Sequence, residues 1–503
     1  NNFYTATVYD KGAEVVRMQA ALLGPATFRS ATDLYFERHD GQAVTTDDFV
    51  ACVEEASGRD LGQFKRWYEQ AGTPELAVSG HHDPAAGTYE LTVRQSTPPT
   101  PGQPRKEPLH VPLAVGLLDA AGRDLPLRVD GEGAAPPRGG TRLLEVREAE
   151  QRFRFVDVPE RPVPSLLRGF SAPVKVRFDY TDEDLMFLMA HDSDGFNRWE
   201  AGQTLARRLL LALIAESDTP VTGGFVAAFR RALTDRDADP ALLAEVLTLP
   251  TEGDLADQMA TVDVDGIHRA REGLKVHIAS ALRRELMAVY EACRDPGPYR
   301  LSPEAIGRRA LKNVCLGYLM QGRNGDALAL CRSQFEASEN MTDVVSALRL
   351  LTDAGGEAGE SALAVFYDRW KGDALVLDKW FAIQAQSKRT DTLARVRRLL
   401  DHPAYSMSNP NRVRSLVGAF CMGNQVRFHA SDGGGYRFLR ERVLELDPVN
   451  PQIAARLLQP MVRWRRFDPV RQALMRGELE AVLAVQTLSK DVYEVASKAV
   501  IAD

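Results

Sequence analysis

Hydrolytic metal chemistry needs clustered ligands, and the histidines are the first place to look for them. Nine are spread along the chain: His39, His81, His82, His110, His191, His268, His277, His402 and His429. None belongs to an H-E-x-x-H segment, and no pair has the i, i+4 spacing that aims two imidazoles from one helix at one zinc. The adjacent His81 and His82 read as a solvated turn between strands. No residue of this chain is therefore expected to ligate a metal, and no complete zinc site can be assembled from it. Nucleophilic chemistry fares no better. There is no G-x-S-x-G, and the five cysteines (Cys52, Cys293, Cys315, Cys331, Cys421) form an odd set without C-x-x-C spacing. Their apolar helical surroundings predict free buried thiols, which fits a reducing cytoplasm. The run Gly433 to Gly435 precedes Tyr436 and Phe438 rather than a Lys and a hydroxyl, so it reads as a turn between helices, not a phosphate loop.

Three stretches with different periodicity must position whatever chemistry remains. Residues 1–75 read as helical. Val15, Met18 and Leu22 recur at helical spacing over Gly12 to Leu23, with Val16 and Leu23 widening the apolar face. Thr45-Thr46-Asp47-Asp48 offers an N-cap ahead of Phe49, Val50 and Val53; Leu61 to Tyr68 adds a further turn or two before Gly72-Thr73-Pro74. Over residues 76–178 the period becomes two. Leu91 and Val93 alternate with polar neighbours, as do Phe153 with Phe155, and Val174, Val176 and Phe178, while Leu109 to Leu117 alternates over a full strand. Turns at His82-Asp83-Pro84, Asp119-Ala120-Ala121-Gly122 and Gly139-Gly140, and an exposed Pro-rich loop from Thr97 to Pro108, separate about seven strands, enough for a small antiparallel β-sandwich. From 179 to 503 strand patterning disappears. Helix starts at Ser302-Pro303 and Thr342-Asp343 lie 40 residues apart, and those at Asn409-Pro410 and Asn450-Pro451 lie 41 apart, after an earlier start at Thr181 with Asp184. That spacing suits the stacked helix pairs of a HEAT or armadillo-like α-solenoid. The fold class predicted is α+β, mostly α.

Composition narrows the function. Against 69 acidic residues stand 62 basic ones, a net charge of −7, which argues against a nucleic-acid partner. The longest apolar candidate, Leu205 to Ile214, is interrupted by Arg207 and Arg208, so no membrane span is expected. Asn1-Asn2-Phe3-Tyr4 has neither the basic lead nor the apolar run of a signal peptide, and no initiator Met. Residue 1 is accordingly expected not to be the biological start. A chain of 503 residues should form two to four domains.

The opening segment is the most informative. Tyr9 is followed by Asp10, Lys11, Gly12 and Ala13 at the head of the first amphipathic helix. Further on come Leu34-Tyr35-Phe36-Glu37-Arg38-His39, Trp67-Tyr68 with Gly72-Thr73-Pro74, Pro108-Leu109-His110-Val111-Pro112, Phe170-Ser171-Ala172-Pro173-Val174, and Ser408-Asn409-Pro410-Asn411-Arg412-Val413-Arg414-Ser415. Together and in this order they closely resemble the aminopeptidase N family, in its bacterial, cytoplasmic form rather than its membrane-anchored animal form. The resemblance implies a zinc metallo-aminopeptidase acting on peptide substrates, a monomer when full length. It identifies residues 1–75 with the closing helices of a thermolysin-like catalytic domain, 76–178 with an Ig-like sandwich and 179–503 with the helical domain. Tyr9 matches the family tyrosine whose hydroxyl steadies the oxyanion as zinc-bound water attacks the peptide carbonyl. Asn1 and Tyr4 match positions beside the same pocket. Arg414, Gln452 and Arg456 match positions that reach from the solenoid towards the active-site cavity, and Gln452 and Arg456, four apart, share one helix face. The family's Gly-x-Met-Glu-Asn segment and its H-E-x-x-H with a downstream Glu are not in this chain. Zinc therefore belongs to the full-length parent, and the chain alone is expected to be inactive. The alternative is a non-enzymatic sandwich-plus-solenoid scaffold holding a peptide or protein partner on a concave face.

Overall fold

A computed structural model describes residues 7–131, 140–295, 297–322 and 325–501. They divide into two compact units, Asn1–Leu205 and Ala206–Asp503.

In the first unit, helix α1 (Gly12–Leu23) buries Val15, Met18 and Leu22, the stripe read from the sequence, together with Gln19. Gly24, at φ +77, ends it, and Pro25 opens α2 (Pro25–His39) at a position where a proline's missing N–H goes unused. Only Ala31 of α2 is buried, and Phe36 stays 62% exposed. Thr45 then starts α3 (Thr46–Ser57): the Asp48 carboxylate accepts from the Thr45 backbone N–H at 2.8 Å and from its hydroxyl at 2.9 Å.

Eight strands among the described residues follow: β1 (Glu75–Asp83), β2 (Thr88–Ser96), β3 (Val111–Leu118), β4 (Arg128–Val129), β5 (Arg142–Val146), β6 (Glu150–Val156), β7 (Val163–Leu166) and β8 (Lys175–Arg177). One sheet runs β4-β6-β2-β1-β8 and the other β5-β3-β7. Pairing is antiparallel except at one edge, where β8 lies parallel to β1, Glu75 opposite Lys175. His81 and His82 are not in a turn but inside β1, opposite Glu90 and Tyr89; the turn begins at Asp83, whose carboxylate accepts from the backbone of Ala85 and Ala86. The strand expected from Leu109 begins at Val111 and is buried on both faces, because its alternate residues Pro112, Ala114 and Gly116 are small rather than polar. Arg168 packs so tightly on Gly116 that a Cβ there would sit 2.1 Å from its guanidinium carbon. Of the Gly139-Gly140 turn, Gly139 lies outside the described residues. One apolar core runs from Val15, Met18 and Trp67 through Leu91, Val111 and Phe155 to Val174, so the opening helices and the sandwich are packed as one body.

The first unit also contains the helix Asp182–His191, capped by Thr181, whose hydroxyl accepts from Asp184 N–H at 3.1 Å. The second unit is helical. Gly325–Ala337 packs on Met341–Ala354, which packs in turn on Gly356–Trp370, the nearest-neighbour stacking of a solenoid. Ser302, Asn409 and Asn450 cap their helices as the sequence predicts. The helix expected at Thr342 starts one residue earlier, at Met341. Its cap is Asn340, whose side-chain oxygen accepts from Asp343 N–H at 2.9 Å, while the Asp343 carboxylate is taken up inside by Lys312 Nζ at 2.6 Å.

Candidate active-site tyrosine and its scaffold

Tyr9 lies in a one-turn π-helix, Thr7–Lys11, immediately ahead of α1. None of the turn's five residues is buried, and Tyr9 is 58% exposed. The turn is tied to the rest of its unit through a long side chain. The anchor is Lys11. Its Nζ donates to the Gly72 carbonyl at 2.6 Å and stands 5.7 Å from the centre of the Trp67 indole. Burial, and secondarily Lys106, push the Lys11 ammonium below its usual pKa. The floor beneath it is fixed in turn: Trp67 Nε1 donates to the His110 carbonyl at 2.8 Å, and Gln19 Nε2 to the Tyr68 hydroxyl at 2.9 Å. Gly72 itself sits at φ +103, a backbone region that favours glycine.

Within the first unit, several of the segments that carry the family resemblance meet as joints. Arg66 Nη1 donates to the Pro108 carbonyl at 2.7 Å. Arg17 of α1 donates to the Gly169 carbonyl at 2.7 Å and also to that of Phe170, and its guanidinium lies over the Phe170 ring. Ser171 Oγ accepts from Ala114 N–H at 2.9 Å. Three residues of that corner, Leu167, Gly169 and Phe170, have positive φ. Between them Arg168 bonds Asp124 at 2.7 Å, Asp192 at 2.9 Å and Ser165 at 2.8 Å. Burial and the like charge of Asp194 raise the Asp192 carboxyl, against the pull of Arg168.

In the second unit Arg414 opens another π-helical turn, Arg414–Gly418, inserted between Pro410–Val413 and Ala419–Gly423. Turns of this kind project side chains out of the helical register and often mark functional positions. Arg414 is exposed and donates to Asn411 Oδ1 at 3.0 Å. Arg412, two residues earlier, is buried and donates to the Ala404 and Ala374 carbonyls at 2.9 Å each, and to Asp378. Gln452 and Arg456 share an exposed face of the helix Pro451–Leu457, as their spacing predicts. Asn1 and Tyr4 lie outside the described residues. The π-turns under Tyr9 and Arg414, and the anchor role of Lys11, were not foreseen. No residue pattern signals a π-turn, and the partner of Lys11 is 61 residues away.

Four of the histidines have buried or ionic partners of their own. His110 Nε2 is 3.0 Å from Glu145 Oε2, and burial with Arg147 brings its pKa down to about 4. His429 is buried against the Tyr436 hydroxyl at 2.9 Å and stacks on Phe467. His402 accepts from Ala404 N–H at 3.1 Å among Tyr367, Trp380 and Phe381, and His268 pairs with Glu252 at 2.9 Å. Among the described residues, no three His, Cys, Asp or Glu side chains are arranged to hold a metal ion. All five cysteines are buried and free, and burial raises the thiols of Cys293, Cys315, Cys331 and Cys421. No helix of the described residues is long and apolar enough to cross a membrane.

Three family models match the chain in succession. "Peptidase family M1 domain" matches residues 1–68, "Domain of unknown function (DUF3458) Ig-like fold" residues 72–179, and "Domain of unknown function (DUF3458_C) ARM repeats" residues 182–501. Aminopeptidase N of Escherichia coli is 43% identical over 503 residues, covering 99% of this chain and 57% of that protein. Aminopeptidase N of Haemophilus influenzae is 41% identical over the same shares, and that of Caulobacter vibrioides 44% identical over 99% of this chain and 56% of its own length. Among solved structures, aminopeptidase A of Legionella pneumophila in complex with aspartic acid matches with a TM-score of 0.85 and 30% identity, over 100% of this chain and 57% of that one. The chain therefore spans little more than half the length of these relatives. With the ARM-repeat model matching well over half of its residues, the chain belongs to the DUF3458_C ARM-repeat family, and over nearly its whole length it is a homologue of the aminopeptidase N proteins.

Proposed function

We propose that the chain is the C-terminal portion of a zinc aminopeptidase that releases N-terminal amino acids from peptides, and that it contributes Tyr9 to the reaction. The observation that carries this reading is likeness to aminopeptidase N along 99% of the chain, with Tyr9 exposed on an anchored turn inside the segment that matches a Peptidase family M1 domain. Because the likeness runs through all the segments, it favours this reading over a free-standing sandwich-plus-solenoid scaffold. In this reading residues 1–75 close the catalytic domain, 76–178 form the sandwich and 179–503 the helical domain. Asn1 and Tyr4 shape the substrate pocket. Arg414, Gln452 and Arg456 contact the peptide from exposed helix faces. The full-length protein is a cytoplasmic monomer.

Zinc supplies this family's Lewis acid, but the described residues do not fit it as a resident ion of this chain. Seven of the nine histidines lie against single carboxylates, a carbonyl, a backbone N–H, a phenol or aromatic rings, and no three His, Cys, Asp or Glu side chains among the described residues are arranged to hold an ion. The ligands are accordingly assigned to sequence outside this chain. The work left to Tyr9 is at the substrate. When water adds to a peptide carbonyl, negative charge gathers on the carbonyl oxygen, and a phenol O–H held at that oxygen donates a bond that is stronger in the transition state than in the ground state. In the full-length protein, Tyr9→Phe should lower kcat by roughly 10²–10³ with zinc content unchanged; near-normal turnover refutes the assignment. The chain on its own should bind no stoichiometric zinc and turn over no aminoacyl-anilide, which metal analysis and a chromogenic assay check directly.

A further inference from the structure

We infer that Asp378 is a positioning residue for Arg414: its carboxylate grips Arg412 and Ser415, on either side of Arg414 in sequence, and so sets the direction in which the Arg414 guanidinium leaves its helix towards the peptide. The inference rests on the substrate contact proposed for Arg414 and adds the group that aims it.

Arg412 and Ser415 are three residues apart, so they share one face of their helical segment. Arg414 lies about 200° round the axis from Arg412 and about 100° from Ser415, off that face. The shared face is turned to the helix Ala374–Ala385. Arg412 Nη1 donates to Asp378 Oδ1, and to the Ala374 carbonyl at 2.9 Å. Ser415 Oγ meets the same Asp378 oxygen at 3.2 Å. Arg412 is buried, and its guanidinium lies over the ring of Phe381, on the same neighbouring helix as Asp378. Val413, Leu416 and Val417 are buried too and seat the segment on the core. Apolar burial is non-directional, however, whereas two bonds converging on one carboxylate oxygen fix rotation about the helix axis. Arg414 is exposed and donates to Asn411 Oδ1 at 3.0 Å, three residues back along the same segment. That bond turns with the helix, so the aim of the guanidinium follows the rotation that Asp378 sets. Substrate need not touch Asp378 for its loss to be felt in binding.

The test is a double-mutant cycle in the full-length enzyme with a tripeptide substrate. Arg414→Met should raise KM about tenfold with kcat within about twofold, the mark of a binding contact. Asp378→Asn, which removes the charge and keeps the shape, should raise KM about fivefold in the same way. Ser415→Ala leaves the Arg412–Asp378 pair in place and should raise KM about threefold, while Ser415→Thr, which keeps the hydroxyl, should restore it. In an Arg414→Met background neither Asp378→Asn nor Ser415→Ala should raise KM further, since there is no guanidinium left to aim. Should Asp378→Asn fail to fold, the two Ser415 variants decide. Unchanged KM in Ser415→Ala, the same rise with and without Arg414, or a loss confined to kcat overturns the inference. Unchanged KM in Arg414→Met by itself removes the contact proposed for Arg414, and the inference with it, so the two failures are told apart.

Discussion

His429 should make the helical unit sensitive to mild acid. The ring is 2% exposed, stacks on Phe467 with 4.4 Å between centroids, and places Nδ1 2.9 Å from the Tyr436 hydroxyl. Arg471 donates to the His429 carbonyl at 2.7 Å, so a cation already occupies the neighbourhood of the ring. Burial first, and Arg471 second, bring its pKa down to about 3. A histidine in an unfolded chain has a pKa of about 6.5. The folded state therefore binds fewer protons than the unfolded one between those values, and stability present above about pH 6.5 is lost progressively as the pH falls towards 3. From pH 7 to pH 5 the unfolded ring gains its proton across about 1.5 pH units while the folded ring stays neutral, a loss of about 2 kcal/mol.

The perturbation is His429→Gln, which keeps a polar group for Tyr436 and removes the titration. Urea denaturation at pH 7, 6 and 5, followed by exchange protection of the helix Gly434–Leu446, gives stability at each pH for both proteins. The variant should start lower because the stacking on Phe467 is lost, but its fall between pH 7 and pH 5 should be smaller than that of the parent chain by about 2 kcal/mol. Differencing the two removes every other titrating group. Parallel pH profiles would refute the reasoning.

Gly435→Ala should cost about 3 kcal/mol or more, because its Cβ would meet the Phe428 carbonyl oxygen at 2.1 Å and that atom is backbone, whereas Gly477→Ala, with nothing within 4 Å, should gain about 0.5–1 kcal/mol of helix propensity; urea melts of the two variants decide. Lys312→Met strands the Asp343 carboxylate, 2% exposed, with amide donors but no cation, and should destabilise by about 3–5 kcal/mol. Asp343→Asn added to Lys312→Met should restore part of that stability, and no recovery would show that the charge is not the cause.

What the sequence disclosed follows from which interactions are local. The stripe Val15, Met18 and Leu22 places α1 because a helix in contact with a core on one side must repeat its apolar residues at that spacing. The next helix, α2, carries no such stripe, since only Ala31 reaches the core, and it passed unread for that reason. The caps at Ser302, Asn409 and Asn450 are local and legible; Asn340 was missed in favour of Thr342 because both types cap helices and only the bond from Asp343 N–H tells them apart. Strand alternation gave the sandwich, but the parallel edge at β8 is set by where the chain returns after the intervening strands, which period two does not encode. His81 and His82 were read as a turn because they precede Asp83-Pro84, while the strand in fact runs on to Asp83 through its pairing with β2.

The residues that made the family recognisable are, in large part, not the ones that touch substrate in the proposed reaction. Trp67, Pro108, His110 and Phe170 are seam residues, giving or receiving bonds between the opening helices and the sandwich. The same division recurs within one short motif of the helical unit. Arg412 is spent on two carbonyls and Asp378, whereas Arg414, on the π-turn, points outward. A physical reason unites the cases. An exposed side chain that must act at a fixed point can draw little rigidity from its own contacts, so rigidity has to come from buried polar brackets nearby, and each bracket demands particular residue types: an indole N–H at 67, a glycine at 72, a guanidinium at 412.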